Sequence, residues 1–339
     1  MVRRLSTILT VLAVAATLVT DAHAATTFKI GTLAPGNSPW GKEFRRWANE
    51  VNQDTGGQLD LDFQWNGQGG DEALMVQKVR SGQLDGAGVS AFGLAQTGVS
   101  DVLIFNAPGL FPNWSRLDVV RNELRDDLNK QFEAKGFSVL GWGDGGAAKT
   151  MTVGFEAQAP SDLRGKGLYF STGDPIQPQI FASIGGIAPK ALTIGEILPS
   201  LASGSISVIT VPPLVAEQLQ WTSRITDLCT QTVSFFTGAL IVSSSRLQAL
   251  APNLRDALTR RGAEMSERVT QSIRNLDAQA FARLKATKTT YDLSDTGKQA
   301  WADLFRKVNH DLRGTVFTPA VFDRVVQLAA APGEPASAH

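Results

Sequence analysis

Between Trp65 and Ser90 the chain reads as a loop, a helix and a strand in immediate succession, WNGQGGDEALMVQKVRSGQLDGAGVS, and this order restricts the fold more than any other stretch. Asn66-Gly67 and Gly69-Gly70 carry turn chemistry, because glycine accepts the positive φ that tight turns need. Asp71 and Glu72 put negative charge where a helix N-terminus carries partial positive charge. Leu74, Met75 and Val79 supply apolar spacing for a helix over 71–81, which Ser81-Gly82 ends. Leu84 opens a short buried strand over 84–90. Upstream, 28–32 is a first strand, Pro39 after Ser38 opens a helix to about Asn52, and 59–65 alternates as a second strand. The opening is therefore β-α-β-α-β, which places the chain in the α/β class.

The remainder continues in that style. Residues 115–135 form a helix rich in Arg, Asp and Leu, and 137–142 a strand. Gly141 to Gly146 (GWGDGG) reads as a flexible crossing out of the first domain. A second sheet starts at 167–171 (GLYFS), followed by helices over Ile176–Ile184, where Pro178 suits the first turn only, and over 193–202. Residues 205–211 form a very apolar strand and 235–243 a strand returning to the first domain. Leu254, Leu258, Met265, Val269, Ile273, Leu276, Ala280 and Leu284 keep helical spacing across Pro252–Thr287. That register fits a long amphipathic core helix or half of a coiled coil.

Arg3-Arg4, an apolar run from Leu5 to Val19, and Ala22-His23-Ala24 make a secretory signal cleaved after Ala24, so the chain is expected to be exported. The apolar run is short for a membrane span. Removal leaves about 315 residues, enough for two α/β domains. Charges balance at 32 Lys+Arg against 32 Asp+Glu with no basic cluster, which argues against a nucleic-acid partner. Only three histidines occur, His23 in the leader, His310 in a charged late helix and His339 at the end. Ser-His-Asp chemistry and histidine-bound zinc therefore lack material, and no catalytic residue, metal or cofactor is expected. The single Cys229 has no intramolecular partner and reads as a small buried hydrophobe.

Local motifs that evoke catalysis or nucleotide binding fail on context. GWGDGG satisfies G-x-G-x-x-G, but Thr150 to Val153 after it looks extended where a dinucleotide site needs a helix. Lys149-Thr150 resembles the end of a phosphate loop without the glycine before the lysine. GVSAFG at Gly88 to Gly93 is no nucleophile elbow, and Ser90 reads as a hydrogen-bond donor at a strand end.

Taken in order, KIGTLAPGNSPWG from Lys29, the GQGGDE turn, VLGWGDGG from Val139, PSDLRGKGLYF from Pro160, LTIGEILPSLASG from Leu192 and VSSSRLQAL from Val242 resemble the solute-binding proteins of tripartite ATP-independent periplasmic (TRAP) transporters. The resemblance covers nearly the whole chain beyond the leader. It implies a two-lobed periplasmic-binding-protein fold, α/β, with mixed β-sheets flanked by helices and a long helix linking both lobes. On that pattern lobe I takes 25–147 plus 235–250 and lobe II takes 148–234. Residues 251–328 hold the linking helix and C-terminal helices that pack on both lobes, and 329–339 form a disordered tail. The implied role is non-catalytic: capture of a solute between the lobes and delivery to the integral membrane subunits of the transporter.

Three departures bear on the ligand. The arginine with which the family clamps a carboxylate falls at Tyr169; a second basic position falls at Ala147-Ala148; and the family's Asp-Gly-Gln-Glu-Asn-Pro becomes Ser207 to Pro212, SVITVP. All run toward neutral or apolar residues, so the chain resembles an atypical branch lacking the carboxylate-binding arginine. A lone carboxylate buried without a partner costs several kcal/mol. The expected ligand is therefore hydrophobic or amphipathic, even lipid-like. Asn37, Trp40, Gln68, Ser90, Phe92, Trp142, Tyr169, Ile209, Val211 and Phe236 are the candidate lining. By resemblance to arginine-less relatives, a tetratricopeptide-repeat periplasmic protein is a further candidate partner. Three alternatives stay open: a small organic acid or polar solute held by Lys149 or backbone amides, a ligand-free interaction protein, and an enzyme built on the same scaffold.

Overall fold

A computed structural model describes residues 25–330. Residues 1–24, read from sequence as a secretory signal, and those beyond Ala330 lie outside the described residues, and the first two residues assigned to the disordered tail are helical. In chain order the elements are β1 (Thr26–Thr32), α1 (Pro39–Asp54), β2 (Leu59–Gln64), α2 (Glu72–Arg80), β3 (Gly86–Ser90), α3 (Ala91–Ala95), α4 (Trp114–Ala134) and β4 (Phe137–Thr152). They continue as β5 (Tyr169–Ser171), α5 (Ile176–Ile184), β6 (Lys190–Leu192), α6 (Ile194–Ala202), β7 (Val208–Val211), α7 (Pro213–Gln218) and β8 (Asp227–Ser243). Last come α8 (Ser244–Gln248), α9 (Pro252–Thr287), β9 (Thr289–Tyr291), α10 (Asp295–Leu312) and α11 (Pro319–Ala330).

The opening helices begin where the sequence places them. Ser38 accepts the Gly41 N–H at 3.2 Å through its hydroxyl, and Asp71 accepts that of Leu74 at 2.8 Å, so each start satisfies an otherwise unpaired donor. The main sheet runs β2-β1-β3-β8-β4-β7, with β9 beside β8; β1 pairs in parallel with β2 and β3, and β8 runs antiparallel to β3 and β4. β5 and β6 form a separate parallel pair, the second sheet expected from residue 167 onward.

The glycine-rich run departs from its reading as a flexible crossing. Gly141 to Gly146 lie inside β4, which continues to Thr152 and pairs with β8 along its length, with register shifts between Val139 and Gly141 and between Asp144 and Gly146. Glycine inside a strand also marks a close backbone approach, and that is the reason here. A Cβ at Gly141 would lie 1.9 Å from Ser266 Oγ on α9; one at Gly146 (φ +122°) would lie 2.6 Å from Pro212 Cβ and 2.7 Å from Asp277 Cγ. The glycines are small so that α9 can lie on the strand.

Helix α9, about 54 Å long at 1.5 Å per residue, is a core helix and not half of a coiled coil. Leu254, Leu258, Met265, Val269 and Ile273 pack with Phe28, Ile30, Leu140 and Leu240, while Leu284 joins Met151, Ile209 and Leu228 in another core. On the opposite face of the first lobe, Phe105, Phe132 and Trp142 anchor a third core, with Val308 and Leu312 of α10. The fourth gathers Leu163, Phe181 and Tyr291 with Trp301 and Phe305 of α10. β4, β8, α9 and α10 thus each feed more than one core. Among the described residues no helix is long and apolar enough to cross a membrane.

Candidate functional site

Two cavities flank Phe236 of β8. The smaller, about 60 Å³, lies between Phe92 and Asn106 on one side and Tyr169, Asp174, Val208 and Thr210 on the other, and Trp301 and Phe305 of α10 close it. The larger, about 220 Å³, is walled by Leu33, Trp40 and Phe44, by Gly141, Gly143 and Gly145 of β4, and by Ile194, Val215 and Leu219 of α6 and α7. Phe236 borders both and meets Phe92 edge-to-face, ring centroids 6.1 Å apart.

Strand parity decides which candidates face a cavity. Val208 and Thr210 point into the small cavity, so Ile209 and Val211 point away from it, into the core with Met151 and Leu228. Gly141 and Gly143 face the large cavity, so Trp142 faces the opposite core, tilted against Phe132 and edge-on to Phe105, with its indole N–H donated to Asn129 Oδ1 at 3.2 Å. Asn37 and Gln68 are exposed and line neither cavity. Tyr169, Phe92 and Phe236 line the small cavity; Trp40, Ser90 and Phe236 line the large one. Trp40 donates its indole N–H to the Asp144 carbonyl at 3.4 Å. Ser90 is a donor as read: its N–H and hydroxyl reach the two oxygens of Glu72 at 2.7 and 2.6 Å.

The charges around the cavities are carboxylates. Asp174 is 5% exposed and accepts the N–H groups of Ile176 (2.8 Å) and Gln177 (3.2 Å) with Oδ1 alone. Burial pushes its carboxyl up to about 6 against those two bonds. Glu72, under the large cavity, is likewise pushed up by burial against the bonds from Ser90. Asp144 is neutralised from behind by Arg121 (2.6 Å) and Arg274 (2.6 Å). Lys149, the basic residue with which the chain could have replaced an arginine, is turned away. Its Nζ donates to the Thr230 carbonyl and Thr232 Oγ1, both at 2.7 Å, and lies 4.6 Å from the Phe281 ring centre. Burial lowers its pKa, and it lines neither cavity.

The Asp174 arrangement has a measurable cost. Its folded pKa lies above the unfolded value of 3.8, so no penalty exists below pH 3.8, where both states are protonated. Stability falls as pH rises through the interval to about 6 and stays reduced above it. Asp174→Asn keeps an acceptor for the helix and removes the charge. It should raise stability at pH 7.5 by on the order of 2–3 kcal/mol in urea unfolding, with the gain gone by pH 4. A variant no more stable than wild type at pH 7.5 would remove the buried charge from consideration.

Asn106, Asp174 and the Trp301–Phe305 pair were not among the candidates read from sequence. Each had a signal: a lone Asn in the apolar run Val102 to Pro108, an Asp-Pro helix start, and aromatic spacing of four on an amphipathic helix.

Residues 30–313 match the family model described as bacterial extracellular solute-binding protein, family 7. The C4-dicarboxylate-binding periplasmic protein DctP of Rhodobacter capsulatus is 22% identical over 84% of this chain and 85% of its own length. The uncharacterized protein y4mM of Sinorhizobium fredii is 29% identical over 56% of this chain, a match spanning 35% of that relative. Among solved structures, a TRAP periplasmic solute-binding protein from Ralstonia eutropha with bound (S)-2-acetolactate superposes with TM-score 0.83 at 20% identity, over 90% of this chain and 98% of that one. The sugar acid binding protein DctPAm from Advenella mimigardefordensis, in complex with galactonate, gives 0.82 at 17% identity over the same shares. With the two-lobed fold and a family match across most of its length, the chain belongs to family 7 of the bacterial extracellular solute-binding proteins, the TRAP receptors.

Proposed function

We propose that this protein captures an apolar or amphipathic solute between its lobes in the periplasm and releases it to the integral membrane subunits of a TRAP transporter. One observation carries the reading: among the described residues, the cavity lining includes the carboxylates of Asp174 and Glu72 and no lysine or arginine, while Asp144, which borders the larger cavity, is paired with Arg121 and Arg274. A carboxylate ligand would enter a low-dielectric space of its own sign without a cation to meet it, at a cost of several kcal/mol. Apolar surface removed from water contributes roughly 25 cal/mol per Å², and the larger cavity offers mostly carbon from Leu33, Trp40, Phe44, Ile194, Val215 and Leu219.

The ligands of the structural neighbours favour a second reading, in which a small organic acid is held by hydroxyl and amide donors such as Tyr169 and Asn106. Native mass spectrometry of the purified protein, followed by solvent extraction, separates the two. The first reading expects a neutral or amphipathic species carried through purification; a bound simple acid would overturn it.

The position of Tyr169 allows a gain-of-function test. Tyr169→Arg alone would place the guanidinium in the cavity that holds Asp174 and spend it there. The double variant Tyr169→Arg, Asp174→Asn frees it for a carboxylate, which a bidentate pair binds by about 1.5–3 kcal/mol. Succinate affinity by calorimetry should rise on the order of 10- to 100-fold over wild type in the double variant and less in the single one. Equal affinity in all three would show that position 169 does not meet the solute.

A further inference from the structure

The small cavity holds hydrogen-bonding capacity that the protein does not use. Asp174 engages the start of α5 through Oδ1, and no described group bonds Oδ2. A serine, threonine or asparagine would cap the helix as well, so a buried carboxylate exceeds what capping needs. Across the cavity Asn106, 4% exposed, accepts from Thr237 Oγ1 at 3.1 Å, while its Nδ2 has no partner among the described residues. Buried polar groups are normally satisfied, and an orphaned donor in a cavity wall is explained by something that enters the cavity. Among the described residues no hydrogen bond engages the Tyr169 hydroxyl either, and the residue is 4% exposed. The two elements that carry Asp174 and the first lobe are close: a Cβ at Gly173 would lie 3.1 Å from Gln96 Nε2, beside α3.

Resting on the reading of an amphipathic ligand, we propose that the small cavity takes the ligand's polar end, and that this end is an N–H donor with an adjacent acceptor, as in a carboxamide, and not a carboxylate. The N–H bonds Asp174 Oδ2, and the acceptor takes the Asn106 Nδ2 hydrogen. The apolar body lies past Phe236, in the larger cavity. A carboxylate head fails on both charge and donor count, because it offers no hydrogen to Asp174.

The test is a series that differs only in its head: hexanamide, hexan-1-ol and hexanoate, titrated by calorimetry into the full protein at pH 7.5, with succinate as the acid reference. Hexanamide should bind at least tenfold more tightly than hexanoate. Asp174→Asn should narrow that ratio at least tenfold and weaken hexan-1-ol, whose single hydroxyl can bond either Asp174 or Asn106, by less than it weakens hexanamide, while Asn106→Leu should weaken hexanamide most. Thermal unfolding of each variant shows that it is folded. A hexanamide-to-hexanoate ratio near one, or a ratio that Asp174→Asn leaves unchanged, overturns the head assignment while hexan-1-ol binding keeps the apolar reading. Succinate binding in wild type with none of the hexyl compounds bound overturns both.

Discussion

Replacing Asp144 by alanine should cost about 3–5 kcal/mol of stability, the range found when one partner of a buried ion pair is removed. Its side chain is fully buried and joins Arg121 of α4 at 2.6 Å to Arg274 of α9 at 2.6 Å. Arg121 is itself 6% exposed and would keep Asp118 alone, at 2.8 Å. Arg274, stacked 4.2 Å from the Trp114 ring centre, would also fall back on Asp118. Asp118 is a third exposed, so Asp118→Ala should cost only about 1–2 kcal/mol, because solvent screens what remains. Urea midpoints at constant m-value check the ordering. If Asp144→Ala fell within about 1 kcal/mol of wild type, the cluster would not be what fastens α9 to the first lobe.

Asp277→Ala should be comparably damaging, about 3–5 kcal/mol, for a different reason. The carboxylate accepts the Ala147 N–H and the Leu214 N–H, both at 2.9 Å, so one side chain of α9 ties β4 to the first turn of α7. Alanine would orphan two donors at once, Leu214 buried and Ala147 half-buried, each worth about 1–3 kcal/mol, and lose charge-assisted bonds. Burial raises the Asp277 pKa, so the charge itself is under strain. Asp277→Asn retains one acceptor oxygen and should therefore lose no more than about half as much. Equal losses for the two variants would mean that charge, and not the pair of bonds, is what matters.

Much of the fold was legible because periodicity is local. Pro252–Thr287 kept its apolar register for 36 residues, and both of its ends agree with the sequence reading, as do those of Ile176–Ile184. The glycine run was misread because glycine marks turns and close approaches alike, and only α9, more than a hundred residues away, tells them apart. The site was harder to read for a geometric reason. Choosing Ile209 and Val211 over Val208 and Thr210 is a shift of one residue, and in a strand that exchanges cavity for core. Asp277 could have been flagged, since it sits on the buried stripe of α9 between Ile273 and Ala280. Its partners at Ala147 and Leu214 could not, because they are backbone groups with no sequence signature.

The two long antiparallel strands have a consequence for how the molecule comes apart. Phe137 at one end of β4 belongs to one core and Met151 near the other end to a different one, and β8 behaves likewise through Ile241 and Leu228. Neither lobe owns its strands, so melting one lobe strips hydrogen-bonded edges and apolar faces from its neighbour. A chain long enough for two independent folding units should therefore unfold as one, with tryptophan fluorescence and far-UV circular dichroism giving coincident transitions in urea.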